Sequence, residues 1–401
     1  MAQSRAIHEG RVKPIRVLHV VGAMNRGGVE TWLMHVLRHM DRKSLQLDFL
    51  VHTEQPAAYD TEIEALGSRI FHCPYPHNPL RYTARFLRIV KRFGPFDVLH
   101  SHVHHFSGYT LSLGRLARIP IRIAHSHSDT RLADSQAGFG RRLYLDAARR
   151  SIRANSTRGL AVSEPAAAAL FGPQWRSDER FEIFYCGIDL APFQGAIDPA
   201  AVRAELGLSP EDVVFGHVGR FSPMKNQLFL IDVAGEVLRR EPRAIFLFIG
   251  DGPLRASVER RAKETGLETR VLFAGVRSDV PRLLRGAIDV CLFPSIHEGL
   301  PLAMIETQAA GLRCLLSENV AVEAVINPDL VERLPLEAGA REWARRACAL
   351  AEDSPYNRRR ALNVVQSSPF AISRRLADLG QMYLGSPRPV AEDFLQPNAT
   401  T

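Results

Sequence analysis

The sequence predicts an α/β protein of two doubly wound parallel sheets, each covered by helices, facing one another across a cleft. Three observations carry that prediction. Short β-branched runs alternate with helix-length amphipathic stretches almost from end to end. The runs are near-continuously apolar rather than alternating, as in strands buried on both faces. A break rich in Gly, Pro and Ala, GIDLAPFQGAIDPAAV at 187–202, separates two such series.

The first series places strands at 15–21, 47–51, 98–100, 121–125, 159–162 and 182–184, with helices at 29–40 and 82–93 between them. The second places strands at 213–218, 244–249, 271–273, 288–293 and 314–316, with helices at 228–239 and 302–310. This gives two Rossmann-like domains, 15–188 and 203–368, and a disordered tail at 387–401.

With 401 residues, 46% hydrophobic and 23% charged, the composition is that of a soluble globular protein with room for two domains. No apolar run approaches the roughly 18–20 residues that span a bilayer. The opening MAQSRAIHEGRVKPIR lacks the apolar segment of a secretory signal. Five scattered cysteines with no C-x-x-C fit reduced thiols in a cytoplasm. A net charge of +8 points to an anionic partner: nucleic acid, an acidic membrane surface or phosphorylated small molecules.

The stretch VVGAMNRGGVETW joins the first strand to the first helix. Gly22 and Gly27 have the spacing of a P-loop, but Gly28 and Val29 stand where Lys and Ser/Thr would be needed, and G-x-G-x-x-G is absent. What remains is physical. Gly27 and Gly28 permit close backbone approach, and a helix opening at Gly28 favours an anion. A tight turn that needs glycine and nothing more fits equally well.

The second series is more informative. Its first strand ends in GHVGRFSPMKNQ, with Arg220 and Lys225 five residues apart across a turn. In CLFPSIHEGLPLAMIETQAAG, Pro301 suits the first turn of a helix and Gly311 its end. Glu298, Gly299 and Leu300 precede that helix at its positive end, and Glu306 lies inside it. One loop thus offers two cations and another offers amide donors, with two carboxylates flanking them. A diphosphate with a sugar on one side and a ribose on the other would use all of these.

With V-G-R-F-S-P-x-K-N, I-G-D-G-P-L, F-x-G-x-x-x-D-V and E-G-L-P-L-x-M-I-E in order, the chain resembles the family 4 glycosyltransferases. These are retaining, nucleotide-sugar-dependent enzymes of the GT-B fold. The matches run from Arg16 to about Ala324, and G-G-V-E and I-A-H-S-H resemble the subgroup of exopolysaccharide and capsule assembly. Arg313 departs from the family's usual proline, and Asn319 follows Glu318 where S-D-N is commoner.

The resemblance implies that Arg220 and Lys225 neutralise the donor diphosphate and that Glu298 lies near the transferred sugar. It implies backbone donors at Gly299 and Leu300, ribose hydroxyls on Glu306, and close approach of donor and acceptor at Gly27 and Gly28. His127 matches the first domain's active-site histidine, with His125 as the alternative. By the same resemblance the donor is a UDP-sugar, the acceptor a glycan or lipid-linked molecule, and a helix within 369–386 packs back on the first domain. D-x-D occurs nowhere in the chain, so cations and a helix end would do a metal's work, and neither cofactor nor metal is expected.

Four rival readings follow from other features. His100, His102, His104 and His105, with His125 and His127, have the look of metal ligands, but a metal-dependent hydrolase leaves the second domain unexplained. His100 and His102 are read instead as capping a strand and bonding locally. A nucleotide-sugar binder or epimerase would share the fold. Arg81, Arg85, Arg88, Lys91 and Arg92 recur opposite Tyr82, Phe86, Ile89 and Phe93, which suits either a membrane-surface helix or a solvated outer face. Arg141, Arg142, Arg149, Arg150 and Arg153 read as a solvated helix face, and no nucleic-acid-binding motif accompanies them.

Overall fold

The computed structural model describes residues 13–353 and 356–385; the tail expected at 387–401 lies outside them. The first sheet has seven parallel strands: β1 (Ile15–Val21), β2 (Leu45–Val51), β3 (Ile70–His72), β4 (Val98–Ser101), β5 (Ile121–Ser126), β6 (Arg158–Ala161) and β7 (Phe181–Ile183). Their spatial order is β3-β2-β1-β4-β5-β6-β7. The second sheet has six: β8 (Val213–Val218), β9 (Ala244–Ile249), β10 (Val271–Gly275), β11 (Val290–Phe293), β12 (Arg313–Ser317) and β13 (Val331–Leu334). They run β10-β9-β8-β11-β12-β13, again all parallel.

Each sheet reverses its winding once, between β1 and β4 in the first and between β8 and β11 in the second. Loops leaving the carboxyl ends of strands at such a switch point diverge and leave a crevice, where ligands of open α/β sheets bind. The Gly22–Gly28 loop and the His102 segment leave β1 and β4, and the Arg220–Lys225 turn and the 294–301 loop leave β8 and β11, all at switch points; His127 leaves β5, the next strand along.

The sequence reading has no counterpart for β3 and β13. Both are edge strands. Only Phe71 of β3 is buried, and no residue of VERL in β13 is, so neither shows the apolar run that marks a central strand.

The expected break at 187–202 is not a free linker. Ile188, Leu190 and Phe193 are buried in the second domain's core, and Asp198 caps a helix at Pro199–Glu205. The second core therefore begins at Ile188, ahead of the expected boundary at 203, because apolar side chains are spaced among the glycines and prolines. At Gly187 the chain passes hard against its own returning end. A side chain there would meet the Ile372 Cα at 2.8 Å. Ile188 N–H donates to Phe370 O (2.8 Å), and Ile372 N–H donates to Ile188 O (3.0 Å). The helix Ile372–Tyr383 then buries Ile372, Leu379, Met382 and Tyr383 in the first core.

The basic helix spans Pro79–Phe93, opened by Asn78, whose side chain accepts from Arg81 N–H. Its Tyr82, Phe86 and Ile89 are buried in the first core while Arg81, Arg85, Arg88, Lys91 and Arg92 are exposed. The apolar side expected to meet a membrane is therefore already spent on the fold. Among the described residues no helix is long and apolar enough to cross a bilayer.

Candidate active site

On the second domain, β8 delivers the chain into the turn that carries Arg220 and Lys225. Gln227, fully buried at the start of the helix Gln227–Leu238, holds this turn. Its amide donates to Arg220 O (2.9 Å) and to His217 Nε2 (3.2 Å), while His217 Nδ1 donates to Leu292 O on β11 (2.8 Å). One buried chain of hydrogen bonds thus ties the turn to both strands of the switch point.

From the other side, Gly250 and Gly252 let the I-G-D-G loop press on the same segment. A methyl group on Gly250 would strike the Gly219 carbonyl, and one on Gly252 the Phe221 carbonyl. Gly250 also sits at φ +138°, where a side chain is strained. Gly250→Ala is therefore expected to lower stability by about 3 kcal/mol, from overpacking plus backbone strain. Thermal denaturation of the variant checks this.

Lys225 forms an ion pair with Glu298, and Ser295, fully buried, donates to the same carboxylate (2.7 Å). Ile296 N–H donates to Met224 O (2.8 Å), fastening the 294–301 loop to the cation turn. Pro301 occupies the N-cap of the helix Leu302–Ala309 with no side-chain cap, leaving the first amides of that helix free. Glu306, in its second turn, has no hydrogen-bond or ion-pair partner among the described residues. Burial pushes its carboxyl up to about 7.

The first domain meets this loop directly. A side chain on Gly299 would lie 2.6 Å from the His127 carbonyl oxygen, so only glycine fits between the halves. Leu300 packs against the cores of both domains. Gly27 is the N-cap of the helix Gly28–His39, and the Glu30 carboxylate folds back against it; Gly28 is exposed and unobstructed. Glu30 faces Arg220 across the gap. Burial raises its carboxyl, opposed by its own amide and by the Arg220 guanidinium.

His127 stands at the exit of β5, half-buried, whereas His125 is fully buried. The His127 ring points inward. Its Nε2 meets His102 Nδ1 (2.9 Å), His102 Nε2 meets His19 Nδ1 (3.0 Å), and Tyr383 OH lies 3.5 Å from His19 Nε2 and 2.8 Å from His100 Nδ1. His100 and His102 therefore do not bond locally as expected. Their partners lie on β1, beyond β5 and on the last helix. The period-2 geometry of strands explains this, since His100 and His102, like His125 and His127, project from one face beneath Trp32. Burial holds the His127 imidazole down at about 3, with a further push from His104.

Two family profiles match in tandem: "Glycosyltransferase Family 4" over residues 26–192 and "Glycosyl transferases group 1" over 199–363. The chain is 37% identical over 337 residues to the putative glycosyltransferase EpsF of Bacillus subtilis, covering 82% of this chain and 86% of that one. The chain is a family 4 glycosyltransferase. A capsular polysaccharide biosynthesis glycosyltransferase of Staphylococcus aureus, CapH, is 25% identical over 378 residues, spanning 92% of this chain and 99% of its own. Among solved structures, HepE of Anabaena in complex with UDP and glucose superposes with a TM-score of 0.75 at 18% identity. That match covers 92% of this chain and 99% of HepE. The two sheets and these neighbours make the fold GT-B.

Within this glycosyltransferase most of the residues singled out from the sequence meet across one gap. Lys225, Glu298, Gly299 and Leu300 form one side, His127 packs on Gly299 and Glu30 beside Gly27 faces Arg220 from the other half, and Glu306 lies in the second turn of the helix that follows Leu300. Glu30, Gln227, Ser295, His19 and Tyr383 were not singled out. Glu30 lay in plain view in G-G-V-E. Gln227 and Ser295 act from buried positions that no spacing reveals, and Tyr383 reaches the histidines from 283 residues away in sequence.

Proposed function

We propose that the enzyme is a retaining glycosyltransferase moving a sugar from a UDP-sugar to a glycan or lipid-linked acceptor in surface polysaccharide assembly. The observation that carries this reading is the meeting of Arg220, the Lys225–Glu298 pair and the uncapped amide end of the helix Leu302–Ala309 with the Gly27–Glu30 helix start across one interdomain gap. HepE, solved with UDP-glucose, supports the choice of base, and the names of EpsF and CapH support the polysaccharide context.

In this reading the guanidinium and ammonium take up charge as the bond from C1 to the phosphate oxygen breaks. The acceptor oxygen attacks C1 from the face the diphosphate leaves, and its proton passes to a departing phosphate oxygen. Glu298 and the His127 segment orient the sugar without a covalent bond. Charge development is met by groups already in place, so no metal is assigned to the reaction. Transfer should then persist in excess chelator. The imidazole triads His19–His100–His102 and His102–His125–His127, whose nitrogens lie within 4.8 Å of one another, are read as hydrogen-bonded and not metal-bound. Elemental analysis of the purified protein tests that point.

The decisive test is a pair of variants. If Glu298→Gln and Arg220→Ala both transferred sugar at wild-type rates, the assignment would be wrong. Release of free nucleoside diphosphate only when acceptor is added separates transfer from epimerisation or passive binding. A thermal-shift series across nucleoside diphosphates identifies the base, since ligand at 100 times its dissociation constant adds about 2.7 kcal/mol of stability.

Glu306 makes donor binding pH-dependent. Its carboxyl, raised to about 7 in the free protein, would accept two ribose hydroxyls once ionised. Donor binding then favours the deprotonated form. Affinity is expected to fall by up to tenfold per pH unit as pH drops below 7, with proton release on binding. Calorimetric titration in buffers of different ionisation enthalpy measures both, and Glu306→Gln should abolish the proton release.

A further inference from the structure

Among the described residues, four large exposed apolar side chains cluster between 132 and 144: Leu132, Phe139, Leu143 and Tyr144, with Phe139 at 85% exposure. The helix Phe139–Asn155 projects its first six residues clear of the domain, and Leu145 is its first buried one. Arg142 donates to Ser135 O (3.0 Å), fastening the short helix Arg131–Ser135 beside this projecting end.

The charge around the patch is predominantly basic, and Asp146, exposed on the same helix, is paired with Arg149. Arg131 is paired with Asp129, and Asp134 is turned inward onto His105 and Arg149, so neither acid faces outward unpaired. Arg141 lies over the Tyr144 ring at 5.0 Å, and among the described residues neither it nor Arg142 has a carboxylate partner. Apolar side chains at a protruding tip with arginines at their base match a bilayer interface, where acyl chains take the former and anionic headgroups the latter.

The patch also has a place relative to the chemistry. The short helix starts four residues after His127, whose carbonyl packs under Gly299, and Asp129 feels the charge of His297 on the opposite domain. The short helix to which Arg142 fastens the tip therefore starts beside the mouth of the gap.

We propose that residues 131–144 form the surface by which this enzyme docks on an anionic membrane leaflet, with Phe139 and Leu143 entering the interface and Arg141 and Arg142 at the headgroups. The purpose of docking rests on the reading of a lipid-linked acceptor; the docking itself does not. On the basic helix Pro79–Phe93 the one large apolar side chain exposed among the described residues is Leu80, at its first turn, with no second beside it, and the helix is not assigned the role.

Flotation of the full chain with vesicles of phosphatidylglycerol and phosphatidylcholine tests this. Wild type should float with the mixed vesicles at low salt and not with phosphatidylcholine alone. Phe139→Asp with Leu143→Asp should cut the floated fraction at least tenfold, with an unchanged melting temperature and an unchanged rate on a short water-soluble acceptor. Arg141→Glu with Arg142→Glu should abolish the preference for anionic lipid, whereas Arg81→Glu with Arg85→Glu should leave flotation intact. Failure of wild type to float, or flotation of the Phe139 and Leu143 variant like wild type, overturns the proposal. So does a lipid-free dimer in sedimentation that the same variant dissociates, which would make the patch a contact between copies. Flotation as expected without transfer to any lipid-linked acceptor would instead sink the reading of the acceptor and leave the surface standing.

Discussion

Lys225→Ala is expected to lower kcat/KM for sugar transfer about 10²–10³-fold, the loss typical of removing one preorganised group from a developing oxyanion. The Lys225 ammonium is held before donor arrives, because Glu298 pairs with it and Ser295 fixes that carboxylate from below. Removing it therefore does two things. The departing diphosphate loses a cation, and Glu298, 12% exposed at its side chain, is left charged beside a polyanion. The double variant Lys225→Ala with Glu298→Gln separates the two effects. If the second dominates, the double variant is less impaired than the two single losses together predict, because the uncompensated carboxylate has gone. Lys225→Arg keeps the charge but not the compact reach of an ammonium, and should fall between. Steady-state kinetics with saturating acceptor measures all three. A wild-type kcat/KM for Lys225→Ala, in a protein that melts normally, would remove Lys225 from the site.

How much of this was legible in the sequence depended on whether a residue's role is local. Central strands such as β1, β8 and β9 declare themselves because burial on both faces demands an unbroken apolar run. Edge strands escape that demand, which is why IFH and VERL pass as loop. The linker misleads in the opposite way. Its glycines and prolines signal a break, yet Ile188, Leu190 and Phe193 are core residues, and only the crossing at Gly187 stays narrow enough to bend.

The same distinction runs through the site. Arg220, Lys225, Glu298 and Glu306 come from two short segments whose turn chemistry constrains where they go. Gly250 and Gly252 are visible as glycines, but their reason, close contact with Gly219 and Phe221, needs the packed loops. The histidines show the limit most clearly. Spacing puts His100 and His102 on one face, but nothing in it says that His19 lies alongside on β1 or that Tyr383 descends on them from the last helix. The exposed tip at 139–144 is equally hidden, because an apolar residue in a helix is by default a core residue until the neighbouring elements are seen to miss it.

These buried imidazoles are expected to make the protein acid-labile above the range in which carboxylates titrate. Burial holds His19 and His127 at about 3, and His35, His52 and His217 at about 4, against an ordinary value of 6.5. His100, His102 and His125 are lowered as well. Below 6.5 the unfolded chain therefore binds protons that the folded one refuses, and stability falls as pH falls, by about 1.4 kcal/mol per unit for each such ring. Two carboxyls act the other way: Glu306, raised to about 7, and Glu30, also raised, keep protons in the folded state that the unfolded state sheds. Their gain on acidification cannot offset the histidines, which outnumber them. His35, His52 and His217 lie outside the linked chain of His19, His102 and His127, so the sign does not depend on how those rings share a proton. Counting all five rings held at about 3 or 4 against the two carboxyls leaves a net excess of three groups, which removes about 4 kcal/mol per pH unit against a total stability of about 5–15 kcal/mol. Cooperative unfolding is expected between pH 6 and about 4.5. Calorimetry from pH 8 to 4.5 follows it, and His52→Phe, with one titrating ring removed, should flatten the slope by about one proton. A melting temperature that holds level from pH 7 to 5 would mean that water or a bound cation already compensates these rings, and the buried neutral network would have to be abandoned.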